Sequence, residues 1–307
     1  MTDPDTLDEL LGERRHLMNL AFRMLGSWND AEDVVQQAYV RWYQLDVGER
    51  AAIERPRAWL TTVASRICLN ILDSARVRRE RYVGEWLPEP VPTDAAGGRV
   101  PAVDPLDRVA LDESVSMALL VVLESLTPAE RVAFVLHEVF AMPFGEIAEI
   151  VGRSPAATRQ LAASARRHIR EERTQPADMQ EHERLVSAFG AACENGDLAA
   201  LVEILDPQVV TVSDGGGRVS AARRPVVGAD NVARLLLGIL AKAPAGAVIE
   251  PREVNGQAGF AVVEEGQVTG VVSLGTSGDR IRNIWIVLNP DKLRAWNADT
   301  GGGVSPV

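Results

Sequence analysis

Lysine is nearly absent from this chain. Of its 32 basic residues, only Lys242 and Lys292 are lysines. With the abundant alanine this points to GC-rich coding, so a single arginine carries little meaning by itself. Cysteine is as scarce: Cys68 and Cys193 are the only two. Two thiols cannot build a disulfide framework or a four-cysteine zinc site, and a reduced cytoplasmic protein is the expectation. No apolar run approaches the roughly 18 residues that span a bilayer. The opening MTDPDTLDEL is acidic and lacks the basic-then-apolar pattern of a signal peptide, so neither secretion nor a membrane role is expected.

Enzyme signatures are missing too. His137-Glu138 has no second histidine four residues on, which excludes the zincin motif. DGGGR at 214–218 opens no G-x-G-x-x-G helix and is followed by no GKS or GKT, so it reads as a loop at a strand end. Beyond residue 177 there is one histidine, His182, and no tyrosine for acid–base work. Asp206, Asp214 and Asp230 have simpler roles as turn or cap residues. No catalytic residue, metal site or cofactor is expected. A small ligand held by the C-terminal region without catalysis stays open.

What is present is enough chain, 307 residues, for two or three domains. The net charge of −11 argues against nucleic acid, but its distribution does not. Residues 87–151 hold 3 basic and 11 acidic side chains, and residues 178–307 hold 11 and 16. Two islands are basic: 55–81 has seven arginines against Asp73 and Glu80, and 153–170 has five arginines and no acid.

Helical spacing dominates the first half. Leu7, Leu10, Leu11, Leu17, Leu20, Met24 and Leu25 share a face that ends at Gly26. Asp30 is the expected cap of a second helix, DAEDVVQQAYVRWYQL, whose apolar face is Val34, Val35, Ala38, Tyr39 and Trp42. The loop 46–55 leads to Pro56 and a third helix over about 56–79, with Trp59, Leu60, Val63, Ile67 and Ile71 on one side. The Pro, Gly and acid content of 84–107 reads as a linker, and WLPEP at 86–90 is extended before each proline. Helices resume over 111–126 and from the Thr127/Glu130 capping box to about Phe140. Two short helices then flank the turn Gly152-Arg153, the second starting at Ser154-Pro155.

After a charged joint at 171–183 the pattern changes. Two helices broken at Asn195-Gly196 precede the strand candidates QVVTVSD, AVIEPREV, GFAVVEEG, QVTGVVSLG and RIRNIWIVL. A helix over 230–242 lies between the first two. This order predicts an α+β domain with helices on a curved antiparallel sheet.

The strongest chemical signal is 144–170, a helix-turn-helix with a polar, basic outer face. Arg159 and Gln160 have the side chains that read base edges by paired hydrogen bonds, with Ala163 and Ser164 beside them. Arg153, Arg166 and Arg167 suit phosphates. In the other island Arg57, Arg66, Arg76, Arg78, Arg79 and Arg81 suit a nucleic-acid backbone. Trp59 belongs to the core, and the loop 46–55 could hold a splayed base.

These segments resemble a known family. Residues 7–82, through DAEDVVQQAY and RAWLTTVASRICLNIL, resemble the first domain of bacterial sigma-70-family factors. Residues 111–170 resemble their minus-35-reading domain. With only these two sigma domains the chain is similar to an extracytoplasmic-function sigma factor. WLPEP, DGGGR and NPDKL (289–293) together resemble a subgroup with a fused C-terminal SnoaL-like domain. Asn70 stands where the family often has Asp.

The resemblance implies a multidomain fold. Two all-α sigma domains, the second a helix-turn-helix, would precede an α+β SnoaL-like cone. The bounds would be 1–85 for sigma region 2, 86–110 for the linker, 111–173 for sigma region 4, 178–300 for the cone and 301–307 for a tail. It implies core RNA polymerase and promoter DNA as partners, with no separate anti-sigma factor required. Asp33, Gln36 and Gln37 would bind the polymerase. Arg57, Arg66, Arg76, Arg78 and Arg79 would bind minus-10 DNA, and the 153–167 set minus-35 DNA. Trp86, Leu87, Pro88, Asp214, Gly215, Gly216, Gly217, Arg218, Asn289, Pro290, Asp291 and Lys292 would form a regulatory contact between domains. Two other classes remain as alternatives: a SnoaL-like isomerase or hydrolase with a DNA-targeting extension, and a dimeric ligand-sensing repressor.

Overall fold

The computed structural model describes residues 4–79, 82–92, 116–172, 178–244 and 246–297, with side chains undescribed over 4–12, 75–79 and at 172. The expected linker beyond residue 92, Arg81 and the C-terminal tail therefore lie outside the described residues. The chain divides into two units, one from Met1–Glu80 and Val122–Glu172, the other from Arg81–Val121 and Arg173–Val307. No helix among the described residues is long and apolar enough to cross a membrane.

The first unit is helical. It contains α1 (Pro4–Leu25), α2 (Trp28–Gln44), the short α3 (Val47–Ala51) and α4 (Pro56–Arg79). α5 (Met117–Ser125) crosses the division, and α6 (Pro128–Phe134), α7 (Phe144–Val151) and α8 (Pro155–Glu172) follow. Ser27, not Asp30, caps α2: its Oγ accepts from the Asp30 N–H at 3.2 Å. The loop 46–55 contains α3, which Asp46 and Glu49 close with a capping box. Leu17, Leu20, Met24, Val34, Ala38, Leu60, Leu136 and Ile147 are among its buried side chains.

The helix expected to run on to Phe140 changes character. Residues Val135–Val139 form a π turn, with the Phe140 N–H donating to the Val135 carbonyl at 3.3 Å. One extra residue in a turn rotates all that follows by about 100°. Phe140 is thereby set against Arg23 and His16, at 5.9 Å and 5.1 Å from its ring centre.

The second unit holds α9 (Met179–Glu194), α10 (Leu198–Ile204), α11 (Ala229–Leu240) and a six-stranded sheet. Its strands are β1 (Leu205–Asp214), β2 (Val226–Val227), β3 (Val248–Val254), β4 (Gln257–Glu264), β5 (Gln267–Ser277) and β6 (Arg280–Val287). Their order is β2-β1-β6-β5-β4-β3, antiparallel throughout except for the parallel β1–β6 pair. Two-residue period does the sorting. Ile284 and Ile286 of β6 enter a core with Leu185, Phe189, Leu201 and Leu236 of the helices. Trp285 and Val287 point to the opposite face, where they meet Leu87, Met117 and Leu293. Segment 86–92 thus covers the outer face of the sheet.

Candidate nucleic-acid interface and buried lock

In α8 one side is sealed and the other open. Thr158, Ala162, Ala165 and Ile169 are buried. Arg159, Gln160, Ala163, Arg166 and Arg167 are exposed, and Ser164 is half-buried. Gly152, at φ 65°, turns the chain between α7 and α8, and the Ser154 Oγ accepts from the Ala157 N–H at 3.2 Å. Arg153 is exposed in that turn. Two of the arginines are pre-positioned: Arg159 lies 5.9 Å over the Phe144 ring, and Arg166 pairs with Glu138.

The arginines of α4 are arranged differently. Arg57 lies 3.2 Å from Glu13 and bonds the His16 Nδ1 at 3.2 Å. Arg66 donates to the Glu149 carbonyl of α7 at 3.3 Å. Arg76, Arg78 and Arg79 close α4, and their side chains lie outside the described residues. Trp59 packs edge-on to the buried Trp42 at 5.3 Å and is itself half-buried. On α2, Asp33, Gln36 and Gln37 are exposed, and Val40 and Tyr43 continue that ridge at 47% and 48% exposure. An apolar ridge beside polar groups without a described cover suits a protein partner.

Two arginines of this unit are buried. Arg131, 2% exposed, donates to the Met24 carbonyl at 2.9 Å and pairs with Glu124 at 2.7 Å. Burial lowers its pKa to about 9. Arg23, 3% exposed, bonds the Asn19 carbonyl and is lowered to about 10 by burial. His16, bonded to Thr61 and Arg57, is held down to about 4 by burial first and then by Arg57 and Arg23.

The second unit contains a polar cluster on its outer sheet face. Asp214 ends β1 and is fully buried. Its Oδ1 accepts from the Tyr82 hydroxyl at 2.6 Å and the Gly216 N–H at 3.0 Å. Its Oδ2 accepts from Lys292 Nζ at 2.6 Å and the Leu87 N–H at 3.0 Å. Four donors on a carboxylate compensate its desolvation. Lys292 also donates to the Leu87 carbonyl and lies 4.0 Å over the Trp86 ring. Asn289 donates to the Tyr82 oxygen at 2.9 Å and caps the short turn Pro290–Lys292. Burial, then the bond to Asp214, raises the Tyr82 pKa.

WLPEP, DGGGR and NPDKL therefore meet at one carboxylate. Leu87, 2% exposed, fills the apolar cluster, whereas Trp86 is half-buried and covers Lys292. Pro88 is buried. The glycines have separate reasons. A Cβ on Gly215 would lie 2.3 Å from the Val219 carbonyl oxygen, and one on Gly216 would lie 2.4 Å from the Asn289 side chain. Gly217 sits at φ 71° against Val83. Arg218 pairs with Asp291 at 3.1 Å.

Three members had no sequence signal for this role. Tyr82 lies outside every motif. Asn255 bonds Val91 twice, through its backbone N–H and its Oδ1, and Pro92 bridges Val254. The Trp296 Nε1 donates to the Pro90 carbonyl at 2.8 Å. Of the other carboxylates weighed for chemistry, Asp206 pairs with Arg282 and Asp230 with Arg234. His182 bonds the Ala258 carbonyl and the Thr276 hydroxyl.

The family model for sigma-70 region 2 matches residues 12–80, and that for sigma-70 region 4 matches residues 116–169. The chain is 40% identical over 294 residues to the ECF RNA polymerase sigma factor SigJ of Mycobacterium tuberculosis, covering 91% of this chain and 90% of that one. It is 39% identical over 300 residues to the probable ECF RNA polymerase sigma factor SigI of the same organism, covering 94% and 95%. The crystal structure of M. tuberculosis SigJ aligns with a TM-score of 0.74 at 38% identity, covering 94% of this chain and 98% of that one.

Proposed function

The chain belongs to the extracytoplasmic-function sigma factors of RNA polymerase, and on that premise we propose that it initiates transcription under the control of its own C-terminal domain. It directs core polymerase to promoters, acting in the cytoplasm where polymerase acts. The exposed ridge of α2, with Asp33, Gln36 and Gln37, binds core polymerase. The exposed face of α8 reads minus-35 DNA: Arg159 and Gln160 contact bases beside Ala163 and Ser164, and Arg153, Arg166 and Arg167 contact phosphates. Arg57, Arg66, Arg76, Arg78 and Arg79 of α4 serve minus-10 DNA. Catalysis has no part in this role, and no separate anti-sigma factor is required.

The observation that carries the regulatory half is the convergence of Tyr82, Leu87 and Lys292 on Asp214. Residues 82–92 continue from α4, the helix assigned to minus-10 DNA. The lock is polar at its centre and apolar around it, so it is specific in geometry and costly to break in part.

Run-off transcription with purified core polymerase tests the proposal, comparing wild type with Lys292→Met and Tyr82→Phe. Both variants should shift transcript yield several-fold while far-UV circular dichroism stays unchanged. Wild-type yield from both would remove the lock from regulation. No transcript from wild type on any promoter library would remove the initiation role itself.

A further inference from the structure

The loop between β1 and β2, residues 215–225, carries Arg218, Arg223 and Arg224 and no carboxylate. It lies in a segment, 178–307, where 16 acids outnumber 11 bases. Elsewhere in that segment the arginines are engaged, Arg280 by the Glu203 and Leu205 carbonyls and the others by acids. Arg184, Arg234, Arg252 and Arg282 each pair with a carboxylate at 2.5–2.8 Å. Arg218 is likewise engaged by Asp291. Arg223 and Arg224 are exposed and have no hydrogen bond or ion pair among the described residues.

The loop is nevertheless shaped. The N–H groups of Arg218 and Val219 both donate to the Gly215 carbonyl, at 3.0 Å and 3.1 Å. Its far end is tied to β1 by the pairs Val210–Val227 and Thr211–Val226. Arg223 and Arg224 are neighbours in sequence, both exposed, and the loop holds no acid to offset them. A polyanion supplies the missing counter-charge. Guanidinium forks match phosphate oxygens in pairs, and duplex DNA carries one charge per about 1.7 Å of axis.

We propose that Arg223 and Arg224 grip the phosphate backbone of the duplex DNA bound by the holoenzyme, giving the C-terminal domain a DNA contact of its own. The contact is independent of sequence and adds to the promoter-reading assignment above rather than resting on the buried lock.

The test measures anisotropy of a fluorescein-labelled 40-base-pair duplex of mixed sequence, bound by full-length protein with core polymerase, across a potassium chloride series. Each phosphate contact contributes about 0.9 to the slope of log affinity against log salt. The double variant Arg223→Gln/Arg224→Gln should flatten the slope by about two relative to wild type. Arg234→Ala, which removes an arginine already paired with Asp230, should leave it unchanged. An unchanged slope in the double variant overturns the proposal. So does a loss of core-polymerase affinity at constant slope, which would assign the loop to a protein surface. The slope difference is read apart from run-off activity, so failure of the initiation role and failure of this contact are distinct results.

Discussion

A carboxylate with no solvent exposure survives only when every lone pair is used, and Asp214 uses four donors. The same logic applied to a base gives a pH dependence at His16. Burial and the nearby Arg57 and Arg23 hold its folded pKa near 4, below the ordinary 6.5. A depressed histidine pKa means that the unfolded chain binds the proton first, so stability is fully present above 6.5 and is lost as pH falls towards 4. Allowing for its partial exposure, we expect wild type to lose about 1–2 kcal/mol more than His16→Gln between these limits. Urea melts at pH 7.5 and 4.5 check it, and parallel losses in both proteins would refute it. Such roles were unequally legible. Asp214 and Lys292 stand inside recognisable motifs, yet sequence alone favoured a turn role for the aspartate. Tyr82 and Asn255 carried no signal, because a hydroxyl or amide acquires its meaning from a partner about 130 or 160 residues away in the chain.

At the scale of elements, local chemistry was read more fully than pairing. Caps and turns follow from two or three residues: Thr127 with Glu130, Ser154 with Pro155, Gly152 in the left-handed region. The π turn at 135–139 was not legible, since it is set by one backbone bond, Phe140 N–H to the Val135 carbonyl, and not by a residue type. Nor was β2, whose two residues are strand only because β1 is beside them. On α8 the two faces separate so cleanly that their roles can be tested residue by residue. Arg159→Ala or Gln160→Ala should lose about 1–3 kcal/mol at one matched base pair and relax promoter preference there. Arg167→Ala should weaken all sequences evenly and reduce the salt slope by about one. Competition binding of holoenzyme against single-base promoter variants distinguishes them. Unchanged preference in both Arg159→Ala and Gln160→Ala would move base reading off this face.

At the scale of the whole molecule, the C-terminal domain and the segment 82–92 are completed by one another. Leu87, Met117, Val271, Trp285, Val287 and Leu293 form a single apolar cluster, and the first two come from sequence preceding the domain. Burying each such side chain contributes about 1.5–3 kcal/mol. Cutting the chain at residue 177 therefore strips apolar cover from both products. The fragment 1–177 should expose Leu87, Val91 and Met117, and the fragment 178–307 should expose the outer face of its sheet. Both should bind a hydrophobic dye and self-associate at micromolar concentration, whereas full-length Lys292→Met should do neither. Mixing the fragments should restore a dye-silent heterodimer, because the polar lock and the apolar cluster are complementary across the cut. Light scattering and dye fluorescence read this directly. If both fragments stay monomeric and dye-silent alone, the cluster has another cover and the segment is not what completes the domain. A change in transcription on truncation alone would therefore mix lost regulation with exposed surface, and the point variants at Lys292 and Tyr82 separate the two.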